Sequence, residues 1–194
     1  MTTRVPHAPG PFPIPKDTQM RTVFLCLFWL ATATLASAAN IDRDASTLGF
    51  SVEIGSDTKY AIFGDWRATI TTQETVISRV EVIVDIASAS FGDRLFDSVM
   101  LSPAWLDVGN HPEALFVADL IESSGAGLHT ATGSLTLNGH ERSLAVTIRE
   151  VGASTDQTFN VSAQVQRLDF GMTDTAVPVA PIVTITGRVR LLNR

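Results

Sequence analysis

Alternating hydrophobic and polar positions dominate the chain after its first forty residues. The first clear case is residues 48–54, where Leu48, Phe50 and Val52 alternate with small or polar residues. A period of two is typical of a β-strand with one buried and one solvated face. The same pattern predicts seven further strands, within residues 66–70, 80–86, 114–120, 135–137, 144–148, 159–165 and 183–191.

One of these strand pairs has a well-defined turn between its members. Asn138-Gly139 stands between the segments 135–137 and 144–148. Asn-Gly is the preferred pair for a two-residue type I′ turn, in which both residues have positive φ. The sequence therefore predicts a β-hairpin that turns at Asn138 and Gly139.

A single segment has helical rather than strand periodicity. Asp93 can cap its first turn, and Pro103 lies beyond its last turn. We expect a short helix between these two residues, because the spacing of the apolar side chains is three to four. These side chains are Leu95, Phe96, Val99 and Met100.

The remaining chain has no long amphipathic helix that could join parallel strands. An antiparallel sheet, curled or closed to remove its edges, is therefore expected, and a β-barrel is favoured over a sandwich. The predicted fold is all-β: an antiparallel eight-stranded β-barrel with a short helical insertion. The interior of eight strands is either just filled by side chains or just wide enough for one elongated ligand.

The first 39 residues differ from the rest of the chain. Residues 1–19 hold five of the nine prolines and are expected to be disordered or absent from the translated protein. Residues 20–39 have the three parts of a secretory signal peptide: Arg21, the apolar run 23–35, and the small residues Ala36-Ser37-Ala38. The expected domain is therefore residues 40–194, exported to the periplasm.

Charge and cysteine content exclude several classes of function. The chain has 14 basic against 20 acidic residues, a formal net charge of −6, and no basic run. This distribution argues against nucleic acid and anionic headgroups as partners. The single cysteine, Cys26, lies in the predicted signal peptide, so we expect no disulfide or thiol chemistry in the mature domain.

Candidate catalytic and metal-binding residues are few. His111, His129 and His140 stand near predicted loops without the spacing of a metal site, so we expect no metal or cofactor. No nucleophile, dinucleotide or phosphate-binding motif occurs, and we expect a protein that is not an enzyme. A cluster of Asp93, Asp97 and Asp107 could suggest calcium or acid–base chemistry. Their simpler roles are an N-cap, the helix surface and a turn.

Four groups of residues resemble the YceI-like family. They occur in the family's order and extend over nearly the whole predicted domain. The groups are Asp42, Ser46, Leu48, Phe50 and Val52; Ser102, Trp105-Leu106-Asp107-Val108, Pro112 and Phe116; Gly133 to Gly139; and Leu168-Asp169-Phe170-Gly171-Met172.

The resemblance implies a secreted or periplasmic, lipocalin-like barrel that holds a polyisoprenoid chain, such as a quinone or prenyl phosphate tail, in an apolar tunnel. Family activity is binding, so the expected role is a carrier or store. Ala45, Ile54 and Val99 stand where many members have histidine, which places the chain in a His-poor branch. Headgroup or metal contacts through those imidazoles are therefore absent, and a tunnel without ionisable groups should bind neutral ligands.

A second hypothesis follows from the same resemblance. The His-poor pattern with Trp105 is similar to members fused to, or encoded near, di-haem b-type cytochromes. The chain could then be a packed interaction module that docks on a membrane redox protein and binds no small ligand. A continuous cavity above roughly 300 Å³ would favour the carrier, whereas an interior filled by Trp66, Trp105 and Phe159 would favour the module. The oligomeric state is left open and includes a dimer.

The expected ligand contacts are inward-facing apolar residues and the segment Asp93 to Trp105. We expect this segment to cover one end of the barrel and to gate the tunnel, with Met100 and Trp105 touching the ligand tail. The complete predicted set is Phe50, Val52, Phe63, Trp66, Leu95, Met100, Trp105, Phe116, Leu137, Val146, Phe159 and Phe170.

Overall fold

A curled antiparallel sheet makes up most of the structure. The computed structural model describes residues 37–39, 41–73, 76–151, 157–173 and 178–192, all within one compact unit, Thr34–Arg194. The strands are β1 (Ser37–Ala39), β2 (Thr47–Ile54), β3 (Asp57–Phe63), β4 (Trp66–Gln73), β5 (Val76–Asp85), β6 (Ala89–Ser90), β7 (Glu113–Gly125), β8 (Leu128–Leu137), β9 (His140–Val151), β10 (Thr158–Gln166) and β11 (Val179–Arg190).

The order of strands brings the two ends of the domain together. The sheet runs β1-β4-β5-β7-β8-β9-β10-β11-β2-β3-β6, and every pairing is antiparallel. The last strand, β11, pairs with β2, with Ile185 opposite Phe50. The inward residues of both strands therefore face the same interior as those of the hairpins between them.

The predicted all-β, antiparallel class is confirmed, and its barrel-like curl is consistent with the lipocalin-like prediction. The count of eight strands is wrong, because the structure adds β1, β3 and β6. Of these, β1 and β6 contain only three and two residues. In β3 the alternation is hidden: Tyr60 and Ile62 are apolar but 72% and 64% exposed, while Ala61 between them is buried.

Three short helices interrupt the strands in the part of the chain that the structure describes. The helix α1 (Arg94–Met100) begins after Asp93, whose carboxylate accepts hydrogen bonds from the amides of Leu95 and Phe96 at 2.9 and 3.3 Å. This confirms the predicted helix and its N-cap. The other two are 3₁₀ helices, at Ile86–Ser88 and Arg167–Phe170.

The turn between β8 and β9 has the predicted geometry. Leu137 pairs with His140, which leaves a two-residue loop, and Asn138 and Gly139 have φ of 50° and 71°. The predicted hairpin is confirmed. The side chain of Asn138 also connects the turn to the second 3₁₀ helix, since Asn138 Nδ2 donates to the carbonyl of Phe170 at 2.9 Å.

The N-terminal predictions fall mostly outside the described residues. Residues 1–19 and the predicted signal peptide up to Ala36 are not among them. The last residues of that predicted peptide form β1, which pairs with β4 through Ala38 opposite Thr71. Among the residues that the structure describes, no helix has the length and apolar character needed to cross a membrane.

Candidate functional site

A large cavity lies inside the curl of the sheet. Its volume is about 760 Å³, which lies within the ~300–1,000 Å³ typical of ligand sites. On β5 alone, its lining extends from Ile77 to Val84. Seven residue steps along a strand correspond to roughly 23 Å. The cavity is therefore elongated, as a site for a chain-like ligand must be.

The lining of this cavity is almost entirely apolar. Among the described residues, every side chain that contributes to it is hydrophobic, except those of Ser162 and Arg167. The sheet produces this lining because alternate residues of each strand point to the same side. In β11, for example, the lining residues are Val179, Val183, Ile185 and Val189.

Two of the three candidate fillers of the interior, Trp66 and Phe159, line the cavity without filling it. Trp66 is 4% exposed, and the guanidinium of Arg43 lies 4.2 Å from its ring centroid. Phe159 is 8% exposed and belongs to a core cluster with Phe116 and Ile148. These large side chains therefore form the wall of the site.

The helix α1 is held against the cavity by a carboxylate that sequence analysis placed on the helix surface. Asp97 Oδ1 accepts from the amide of Phe91 at 2.7 Å, and Asp97 Oδ2 accepts from Ser90 Oγ at 2.8 Å. That prediction for Asp97 is wrong, because its side chain is half-buried and fixes the preceding loop. Asp107, by contrast, is the predicted turn residue, with φ of 43°.

Aromatic rings connect α1 to the sheet. The ring centroids of Phe50 and Phe63 are 5.5 Å apart, those of Phe50 and Phe91 are 5.5 Å apart, and those of Phe91 and Phe96 are 6.1 Å apart. All four rings line the cavity. Edge and tilted contacts of this kind stabilise aromatic clusters beyond the area they bury. Phe91 and Phe96 were absent from the predicted set, although the helical spacing pointed to Phe96.

Arg167 is the charged residue in the lining, and it contradicts the expectation of a tunnel without ionisable groups. It is 1% exposed. Its guanidinium donates to four backbone carbonyls at 2.9–3.3 Å, those of Ala180, Val179, Met172 and Thr173. Sequence analysis missed Arg167 because it follows the last predicted inward position of β10, where no local pattern distinguishes a buried arginine from a surface one.

Trp105 completes this corner of the cavity. The guanidinium of Arg167 lies 5.0 Å from the centroid of its ring. The carbonyl of the preceding residue, Ala104, accepts from the amide of Thr173 at 3.2 Å. The loop after α1 is therefore fixed to the segment that follows the second 3₁₀ helix. Trp105 Nε1 is buried without a hydrogen-bond partner among the described residues.

The structure brings together all but one of the predicted ligand contacts. Phe170 does not line the cavity; it is 4% exposed and packs in a core cluster with Met172. The residues that do line it are Phe50, Val52, Phe63, Trp66, Leu95, Met100, Trp105, Phe116, Leu137, Val146 and Phe159. Their contact with a ligand remains a prediction.

The polar side chains considered for chemistry are not gathered in the cavity. Within the described ranges, no three His, Cys, Asp or Glu side chains are grouped so that they could hold a metal ion. His111 lies against the turn at Gly139, and His140 lies against Gly171. The raised pKa of Arg79, caused first by its hydrogen bond to Asp119, belongs to an exposed pair on β5 and β7.

Comparison with known proteins agrees with this architecture. Residues 40–191 match the model of the YceI-like domain. A UPF0312 protein, YE1254, of Yersinia enterocolitica is 23% identical over 170 residues, which cover 82% of this chain and 88% of that protein.

Two solved structures have the same fold. BcnA of Burkholderia cenocepacia superposes with a TM-score of 0.71 at 22% identity, covering 78% of this chain and 99% of that one. A polyisoprenoid binding domain from Saccharophagus degradans superposes with a TM-score of 0.59 at 12% identity, covering 81% of this chain and 98% of that one. At these identities the likeness shows the fold.

Proposed function

The chain belongs to the YceI-like family, and from that premise we propose that it binds the apolar chain of a polyisoprenoid or quinone-like lipid and carries or stores it in the periplasm. The observation that carries this proposal is the elongated cavity of about 760 Å³ with its apolar lining. The solved polyisoprenoid binding domain with the same fold supports the class of ligand. The activity proposed is binding, without a chemical step.

The energetics of such a site favour a long hydrocarbon. Each CH₂ group transferred from water into an apolar environment contributes roughly 0.8 kcal/mol. A cavity already formed by the sheet avoids most of the ordering cost of building a site around the ligand. Affinity should therefore increase with chain length until the cavity is full.

The headgroup that this site accepts is uncharged or remains in solvent. The charged lining residue, Arg167, directs its guanidinium to backbone carbonyls. Moving a diphosphate into the apolar interior without a committed partner would cost several kcal/mol. We therefore expect isoprenoid alcohols and quinones to bind more tightly than prenyl diphosphates of equal length.

The cavity also bears on the alternative hypothesis of a packed module docked on a membrane cytochrome. That hypothesis requires an interior filled by Trp66, Trp105 and Phe159, and these three side chains line a cavity instead. The carrier is therefore the better supported function. Periplasmic localisation remains part of the proposal and rests on the signal-like sequence around Arg21 and Ala36-Ser37-Ala38.

A titration tests the proposal. Delipidated protein is titrated with isoprenoid alcohols of increasing length, and binding is measured through the fluorescence of Trp66 and Trp105, which both line the cavity. We expect each added isoprene unit to tighten binding up to a limiting length, with diphosphates of the same length binding more weakly. Failure of every apolar ligand to bind, or an affinity independent of chain length, would contradict the proposed function.

A further inference from the structure

The helix α1 presents a second apolar face that the core does not use. Leu95 and Val99 are 73% and 44% exposed, although both also contribute to the lining of the cavity. Residues four apart lie on one face of a helix. Side chains that line a cavity and are also open to solvent must stand at its opening. Leu95 and Val99 therefore mark the mouth of the cavity.

The exposure of this face does not come from a poorly anchored helix. Asp93 caps the first turn, and Asp97 accepts hydrogen bonds from Ser90 and from the amide of Phe91. On the inner side, Met100 is 5% exposed. These contacts fix the rotation of α1, so that Leu95 and Val99 are held at the mouth, where they are both exposed and part of the lining.

The charges around the mouth include both signs. Lys59 Nζ lies 5.5 Å from the ring centroid of Phe96 on α1 and 3.8 Å from the carboxylate of Asp57. Arg94 follows the capping carboxylate of Asp93 at the start of the helix. The whole chain has a net charge of −6. Such a surface suits a zwitterionic lipid layer, because a strongly anionic one would repel the protein as a whole.

We propose that the mouth docks on a phospholipid bilayer, with Leu95 and Val99 inserted among the acyl chains. This inference rests on the proposed function, since an apolar ligand of the cavity is insoluble in water and is held in a bilayer before and after transport. The exposed face is continuous with the cavity lining, so insertion gives the ligand an apolar path that never crosses water. Exposed apolar side chains at a fixed site are also the ordinary anchors of proteins that lie on membranes.

Vesicle flotation tests the proposal. Ligand-free protein is mixed with phosphatidylcholine vesicles, and the fraction that floats with the lipid gives the partition coefficient. The variant Leu95→Ser/Val99→Ser should partition at least tenfold more weakly, a change of about 1.4 kcal/mol. The matched control is Leu115→Ser/Leu120→Ser, which replaces two exposed leucines on β7 that do not line the cavity. We expect the control to float like the unmodified protein.

Equal flotation of the two double variants would overturn the docking proposal, as would an absence of flotation by the unmodified protein. A concentration-dependent dimer in sedimentation, lost in the α1 variant and accompanied by no flotation, would assign the face to a second copy instead. Titration with geranylgeraniol in the absence of vesicles separates the two proposals. Binding without flotation rejects the docking surface alone, and flotation through Leu95 and Val99 without binding rejects the carrier alone.

Discussion

Replacing Arg167 with methionine would remove a buried guanidinium that joins three segments at one corner of the cavity. Among the described residues, it donates hydrogen bonds to four carbonyls on β11 and in residues 172–173, at 2.9–3.3 Å. A buried polar group left without its partner costs about 1–3 kcal/mol. The bond to Met172 is fully buried, whereas the other three are partly accessible to solvent. We therefore expect Arg167→Met to lower the free energy of unfolding by about 3 kcal/mol.

Urea denaturation monitored by tryptophan fluorescence measures this loss, with an unchanged m-value as the sign that only stability has changed. The control is Arg67→Met, which breaks an ion pair with Glu113 at 3.2 Å whose side chains are 67% and 56% exposed. Exposed pairs of this kind contribute less than about 1 kcal/mol. If the two variants lose the same small amount of stability, then the hydrogen bonds of Arg167 do not support this corner as the geometry implies.

Three further results are expected. Gly139→Val should lower the free energy of unfolding in urea by at least about 1 kcal/mol, because Gly139 has φ of 71° and an added Cβ would lie 2.7 Å from the ring of His111. The control is Gly109→Val, where a Cβ would meet nothing within 4 Å. If the two variants are equally stable, the turn relaxes around the new side chain. Ala163→Phe, inside the cavity, should weaken binding of the longest isoprenoid alcohols more than that of short ones. Ala145→Phe, on the exposed side of β9, is the control and should leave binding unchanged. If fluorescence titration shows the same affinities for both variants, the ligand binds elsewhere. Affinity for a neutral ligand should stay nearly constant between about pH 5 and 8, because no histidine is among the described residues of the lining. A large change across that range would require a ligand contact with a group that titrates there.

Sequence pattern predicted the strands whose two faces differ in polarity. The segment 80–86 is such a case, since Glu81 and Asp85 stand between the apolar residues of its inward face, and residues 80–85 lie in β5. Strand β3 could not be found in this way, because Tyr60 and Ile62 put apolar residues on its outer face as well. Its position is determined by pairing with β2 and with β6, and β6 follows it by more than twenty residues in the sequence.

The candidate site was predictable to the extent that inward-facing strand residues line it. Phe170 shows the limit of this reasoning, because it lies in a 3₁₀ helix after β10 and is directed into a core cluster instead of the cavity. Arg167 shows a second limit. Its burial depends on carbonyls that β11 and residues 172–173 provide, and no local sequence pattern encodes partners brought together by the fold.

Mass spectrometry of the bound lipid tests the central claim most directly. The protein is purified without detergent from cells that export it, extracted with organic solvent, and the extract is analysed beside one from Ala163→Phe prepared in the same way. The account predicts an isoprenoid alcohol, a quinone or a similar neutral long-chain lipid in the unmodified protein, and less of it in the variant. An extract without any apolar ligand, or one whose lipid content is unchanged by Ala163→Phe, would contradict a ligand held in this cavity.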